Sequence, residues 1–126
     1  MNTRKILLIS DDKDLVSIVN TSSLTLTKLN CQISLESVSD LEGSLDRSKA
    51  VNLDLIIADN DLRDIDLKEL FRGIRKSEDS KSKKIICLYQ ENSDPDFNKK
   101  EIFESGCDSV MTKEEFKRVV NNVLVF

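Results

Sequence analysis

The chain has 126 residues, 39% of them apolar and 33% charged, which is enough for one compact core and too little for a second folded domain. Nineteen Lys and Arg against 23 Asp and Glu leave a net charge of −4, which argues against a protein whose main work is neutralising nucleic-acid phosphates or anionic lipid. The acids divide into 14 Asp and 9 Glu. Asp favours turns, helix caps and strand ends, so that skew is the feature to follow. Apolar runs such as Ile6–Ile9 are too short for a membrane span or a secretory segment, and the expected location is the cytoplasm. Cys31, Cys87 and Cys107 are odd in number and lack CxxC spacing, so they read as small buried hydrophobes rather than a disulfide framework or a zinc site. The absence of histidine removes His-based triads, two-His zinc sites and a His phosphocarrier.

In chain order, Ile6–Ile9 is the first of three apolar runs without polar alternation, as in strands buried on both faces. Leu15, Ile18, Val19 and Ser22 follow helical spacing, extended by Leu24 and Leu26, with Asp11 or Asp12 as the cap. Gln32–Val38 alternates Ile33 and Leu35 with polar residues, the pattern of a strand nearer a sheet edge. Ser39-Asp-Leu-Glu42 has capping-box spacing ahead of Leu45 and marks a second helix. Leu55–Ala58 is the second buried strand, and Leu67, Leu70, Phe71 and Ile74 form the next helical stripe. Ser77–Lys84 carries three lysines but also Glu78 and Asp79, with no aromatic residue for base stacking, so it reads as a solvated loop.

Ile85–Leu88 is the third buried strand. Ser93–Asp96 holds the only proline and reads as a turn into a fourth helix marked by Phe97, Ile102 and Phe103. Asp108–Met111 is a short fifth strand, and Phe116, Val119, Val120, Val123 and Leu124 give a fifth helix. Strict alternation of five strands and five helices predicts an α/β fold over residues 1–126: a five-stranded parallel sheet, doubly wound as (βα)5.

In such a sheet, ligands collect beyond the carboxyl ends of the strands, where the strand order reverses. Ser10-Asp11-Asp12 follows the first strand, Asp59-Asn60-Asp61 the third, Tyr89-Gln90 the fourth and Thr112-Lys113 the fifth. Converging carboxylates repel one another unless protonated, bound to a cation or paired with an ammonium, and Lys113 supplies the ammonium. Hard oxygen donors of this kind suit Mg²⁺. An Asp carboxylate beside Mg²⁺ and Lys is equipped to act as nucleophile toward a phosphoryl group.

These residues resemble the receiver domain of bacterial two-component response regulators, over essentially the whole chain. Lys5–Asp12 is similar to the family's first strand and acidic pair. Asp54–Leu62, followed by Asp64, Ile65, Asp66, Glu69, Leu70, Ile74 and Arg75, matches the phosphoacceptor strand and third helix without a gap. Ile102–Asp108 and Thr112-Lys113 resemble the turn and the lysine that follow. The resemblance implies a flavodoxin-like receiver fold. It makes Asp59 the phosphoacceptor, Lys113 the phosphate-contacting lysine, and Asp11, Asp12, Asp59 and Asp61 the residues around Mg²⁺, Asp61 through its backbone carbonyl. The family's first acidic position falls on Ser10, whereas a one-residue shift would put Asp11 and Asp12 on the pair.

Five further positions depart from the family pattern. Tyr89 stands where receivers carry a small Thr or Ser, and its phenol either donates to the phosphoryl pocket or lies outward. Val110 takes the aromatic switch position. Arg63 and Leu67 replace a proline and a glycine, and Glu114 replaces the proline after Lys113. The resemblance implies a switch phosphorylated by a histidine kinase or phosphotransfer protein. Its downstream protein, or a second copy in a homodimer, would meet the face of the fourth helix, fifth strand and fifth helix. No nucleic acid, membrane or catalytic turnover is implied. The alternative is a phosphorylation-independent pseudo-receiver that acts as a docking module. A flavodoxin-type FMN site is disfavoured because Ser10-Asp11-Asp12 would repel phosphate. A dehalogenase-type phosphatase is disfavoured because Asp59-Asn-Asp61 ends the third strand rather than the first.

Overall fold

A computed structural model describes residues 2–62, 64–92 and 94–125. Within them the elements alternate without exception: β1 Asn2–Ile9, α1 Lys13–Thr27, β2 Cys31–Val38, α2 Leu41–Arg47, β3 Leu55–Asp59, α3 Leu67–Lys76, β4 Lys84–Tyr89, α4 Lys99–Glu104, β5 Ser109–Thr112 and α5 Lys113–Val125. The strands form one all-parallel sheet in the order β2-β1-β3-β4-β5. This is the doubly wound parallel sheet that the alternation predicts, with the flavodoxin-like strand order that the resemblance implies. Arg63 and the Ser93 end of the predicted turn lie outside the described residues.

The apolar runs divide by alternation into two cores. Ile6, Leu8, Leu55, Ile57, Ile86 and Leu88 pack with Leu15, Val19, Phe116 and Leu124 of α1 and α5. Leu7, Ile9, Ile56, Ala58, Ile85 and Cys87 pack with Leu70, Phe71 and Ile74 of α3 and Ile102 of α4. All three cysteines are free and buried, and burial pushes the Cys107 thiol up to about 11 and the Cys87 thiol up as well. As buried thiols they fill space, as the sequence predicts.

Local signals set the helix ends. Asp12 rather than Asp11 caps α1, accepting from the Asp14 and Leu15 amides at 3.0 and 3.2 Å. The second helix is capped by Asp40, which accepts from the Gly43 amide at 2.8 Å, instead of Ser39. The capping-box spacing thus locates that helix but is one residue early for its cap. In the fourth helix the expected stripe is broken. Phe97 precedes α4, Ile102 is buried, and Phe103, the next residue and so about 100° round the helix, remains 55% exposed.

Arg75 ties α3 to the turns below the sheet. Its guanidinium donates to the carbonyls of Gly106, Lys81 and Lys83 at 2.7, 2.8 and 2.7 Å and to Asp108 at 2.9 Å. Asp108 in turn accepts from the Ile85 amide at 2.8 Å, which anchors the start of β4. Gly106 sits at φ +131°, and a Cβ there would come 2.7 Å from the Arg75 side chain, so the turn needs glycine on both counts. Substitution Arg75→Ala is expected to lower the unfolding free energy by about 2 kcal/mol in urea denaturation. Arg75→Lys should recover only part of that, because an ammonium cannot reproduce the planar fork.

Candidate functional site

Alternation along neighbouring strands builds the site. Ile6 and Leu8 of β1, and Leu55 and Ile57 of β3, face the core beneath α1 and α5. The next residues in each series are Ser10 and Asp59, which end side by side at the carboxyl edge where the strand order reverses. The Ser10 amide donates to the Val38 carbonyl at 3.0 Å and the Asn60 amide to the Leu88 carbonyl at 2.8 Å, so the sheet holds both segments.

Asp59 is fully buried. Its Oδ2 accepts from the Ser10 hydroxyl at 2.6 Å, and its Oδ1 accepts from the Asp61 amide at 2.8 Å. The Lys113 ammonium, on the first residue of α5, lies 3.1 Å from Asp59 Oδ1, 3.1 Å from Asp12 Oδ2 and 2.9 Å from Asp61 Oδ2. One cation therefore joins carboxylates from the end of β3 and the cap of α1. Burial alone would lower the pKa of Lys113, but the Asp61 hydrogen bond, the Asp59 charge and the bonds to Asp12 and Asp59 overcome it and hold the group above its usual 10.5. Burial likewise works to raise Asp12, yet the Lys113 hydrogen bond and the Leu15 amide outweigh it and hold the carboxyl below 3.8.

Of the residues named from sequence, Asp11, Asp12, Asp59, Asp61 and Lys113 line one cleft of about 690 Å³, and Asp11 is exposed on it. Among the described residues, no three Asp, Glu or Cys side chains stand in an arrangement that holds a metal ion by themselves. Asp12, Asp59 and Asp61 converge on the Lys113 ammonium instead. Tyr89 is not among the residues lining this cleft. Strand alternation groups it with Ile85 and Cys87, and its ring packs on Phe97 with centroids 4.4 Å apart and the Lys99 ammonium 5.3 Å from the ring centre. Tyr89 also borders a smaller recess of about 270 Å³ that includes Asp12 and Lys113. Val110 packs partly buried against the core beneath α3 and α4.

Sequence reasoning treated Ser10 only as a missing acid and overlooked its hydroxyl as a donor to Asp59. The signal was present in the two-residue alternation that carries Ile6 and Leu8 to Ser10. It also overlooked the far side of the cleft, where Asn60 Nδ2 donates to Asp94 at 3.3 Å and Lys68 pairs with Glu101 at 3.3 Å.

No family model and no curated protein matches the sequence. Solved structures do. A response regulator from Hahella chejuensis is 21% identical with a TM-score of 0.78, covering 97% of this chain and 92% of that one. The phosphorylated cyanobacterial phytochrome response regulator RcpA is 17% identical with a TM-score of 0.76, covering 96% and 91%. The receiver domain of a sensor histidine kinase from Pseudomonas aeruginosa PAO1, solved with magnesium coordinated in its active-site cleft, is 20% identical with a TM-score of 0.73, covering 97% and 94%. At these identities the likeness defines the fold: the chain has the architecture of response regulator receiver domains.

The charge pattern makes opposite demands on stability. Lys113→Met leaves three carboxylates without their counter-ion and is expected to cost about 3 kcal/mol at neutral pH in urea denaturation. Asp59→Asn removes one carboxylate from an excess, keeps an acceptor for Lys113, and lets the Ser10 hydroxyl turn to accept. It should leave stability unchanged or raise it by about 1 kcal/mol. The Asp12 pKa is depressed in the fold, so its ionised form contributes stability above 3.8 that is lost as the pH falls. Lys113 contributes below 10.5 and loses its contribution as the pH rises through its elevated folded value. The gap between wild type and Lys113→Met should therefore narrow toward both pH extremes.

Proposed function

We propose that residues 1–126 form a receiver module of bacterial two-component signalling, in which Asp59 takes a phosphoryl group from the phosphohistidine of a histidine kinase or phosphotransfer protein. The observation that carries this reading is the pairing of a fully buried Asp59 with the Lys113 ammonium at the sheet's reversal point, on an open cleft. The magnesium in the similar kinase receiver and the phosphorylated state of the similar phytochrome regulator support it.

In the transfer, Asp59 Oδ2 attacks phosphorus and the phosphorus–nitrogen bond breaks, its electron pair returning to the donor imidazole. The product is an aspartyl phosphate on this chain, with no catalytic turnover of a separate substrate. Oδ2 is the attacking oxygen because only the neutral Ser10 hydroxyl must turn aside, whereas Oδ1 is held by an ammonium and an amide. Lys113 then stands beside the charge that builds on the phosphoryl oxygens. The donor set of Asp11, Asp12, Asp59 and Asp61, with the Asp61 carbonyl, is all hard oxygen and suits Mg²⁺ in kind. When bound, Mg²⁺ would neutralise phosphoryl charge. Lys113 already neutralises Asp12, Asp59 and Asp61, so Mg²⁺ would share these acids with an ammonium.

The output surface in this reading is the face of α4, β5 and α5, which presents exposed Phe103 and Val119 to a downstream protein or a second copy. In this reading the partner kinase and the setting are those of bacterial two-component signalling, in the cytoplasm. A phosphorylation-independent docking module is the second reading. It is favoured by Tyr89, which stands where receivers carry a small hydroxyl and packs its ring on Phe97 instead of lining the cleft.

Intact-protein mass spectrometry after incubation with acetyl phosphate and Mg²⁺ separates the two. A gain of one phosphoryl group in the wild type, absent from Asp59→Asn, is expected. No gain at high donor concentration would leave the docking module.

A further inference from the structure

Ser10 stands directly against Asp59, and its hydroxyl both donates and accepts. Its proton goes to Asp59 Oδ2 at 2.6 Å, and its oxygen accepts from the Asp12 amide at 3.0 Å. It brings no charge to the pocket, and the residue is only 4% exposed. Oδ1 of Asp59 is taken by the Asp61 amide and by Lys113, which also holds Asp12 and Asp61. Both oxygens of the central carboxylate thus have donors already, and the pocket's positive charge is built into α5.

We infer that Ser10 and Lys113 together set the divalent-cation affinity of this pocket low, with Lys113 as the resident counter-ion that Mg²⁺ must compete against. Ser10 is then an affinity-determining residue. A carboxylate in its place would add a charge and hard oxygen donors beside Asp59 and shift the competition toward the metal. The same change without metal would crowd a further anion against Asp59. The inference extends the phosphoacceptor reading to its cation, but cation binding is measured with no phosphodonor present, so either can fail without the other.

The test is thermal unfolding with and without Mg²⁺, together with Mn²⁺ binding followed by electron paramagnetic resonance, on wild type, Ser10→Asp and Lys113→Met. The wild type should bind Mn²⁺ weakly and its Tm should scarcely respond to Mg²⁺. Ser10→Asp should melt lower than wild type without metal, recover with Mg²⁺, and bind Mn²⁺ at least about tenfold more tightly. Lys113→Met, freed of the competing ammonium, should also bind more tightly, and it decides the matter if Ser10→Asp does not fold. Equal Mn²⁺ affinity in wild type and the folded variants, or tight binding by the wild type, would overturn the inference.

Discussion

A single buried ammonium holds the working end of this molecule together. Lys113 reaches carboxylates on Asp12, Asp59 and Asp61 within 2.9–3.1 Å, and these belong to the start of α1, the end of β3 and the loop after it. Without that positive charge, three acids would share a poorly solvated space at a cost of several kcal/mol. The strand order makes the convergence unavoidable. With β1 and β3 adjacent, their carboxyl ends deliver Ser10 and Asp59 to one point, and β5 ends on the same edge, where α5 begins with Lys113.

The constraint also orders the chemistry. The two oxygens of Asp59 are unequal, one held by a charged donor and an amide, the other by a neutral hydroxyl. A carboxylate in this state is oriented before any donor arrives, which is how positioning lowers a barrier. The same saturation makes the pocket less hungry for an external cation than its acid count implies. Fourteen Asp residues in the chain mark this site less by their number than by how three of them are compensated.

Much of the fold was legible because its signals are local. The runs Ile6–Ile9, Leu55–Ala58 and Ile85–Leu88 lack polar alternation, which means burial on both faces, and the strands they predict are β1, β3 and β4. Convergence of Asp12, Asp59, Asp61 and Lys113 followed from their places after different strands. Side-chain direction was less accessible. Tyr89 is turned toward Phe97, a residue in the next loop, and no periodicity within β4 records that partner. The Ser39 motif gave way to Asp40 because both side chains offer a capping oxygen, and only the backbone path selects between them. Phe103 stays exposed because Ile102, one residue before it, already takes the inward face of α4.

The dependence of the site on one ammonium is measured most directly by a double-mutant cycle at positions 59 and 113, read by urea denaturation at neutral pH. With Lys113 present, Asp59→Asn both relieves repulsion and loses an ion pair. With Lys113→Met, only the relief remains. Asp59→Asn should therefore stabilise the Lys113→Met protein by at least about 1 kcal/mol more than it stabilises the wild type. Additive effects, agreeing within about 0.5 kcal/mol, would contradict a shared electrostatic centre at Asp59 and Lys113.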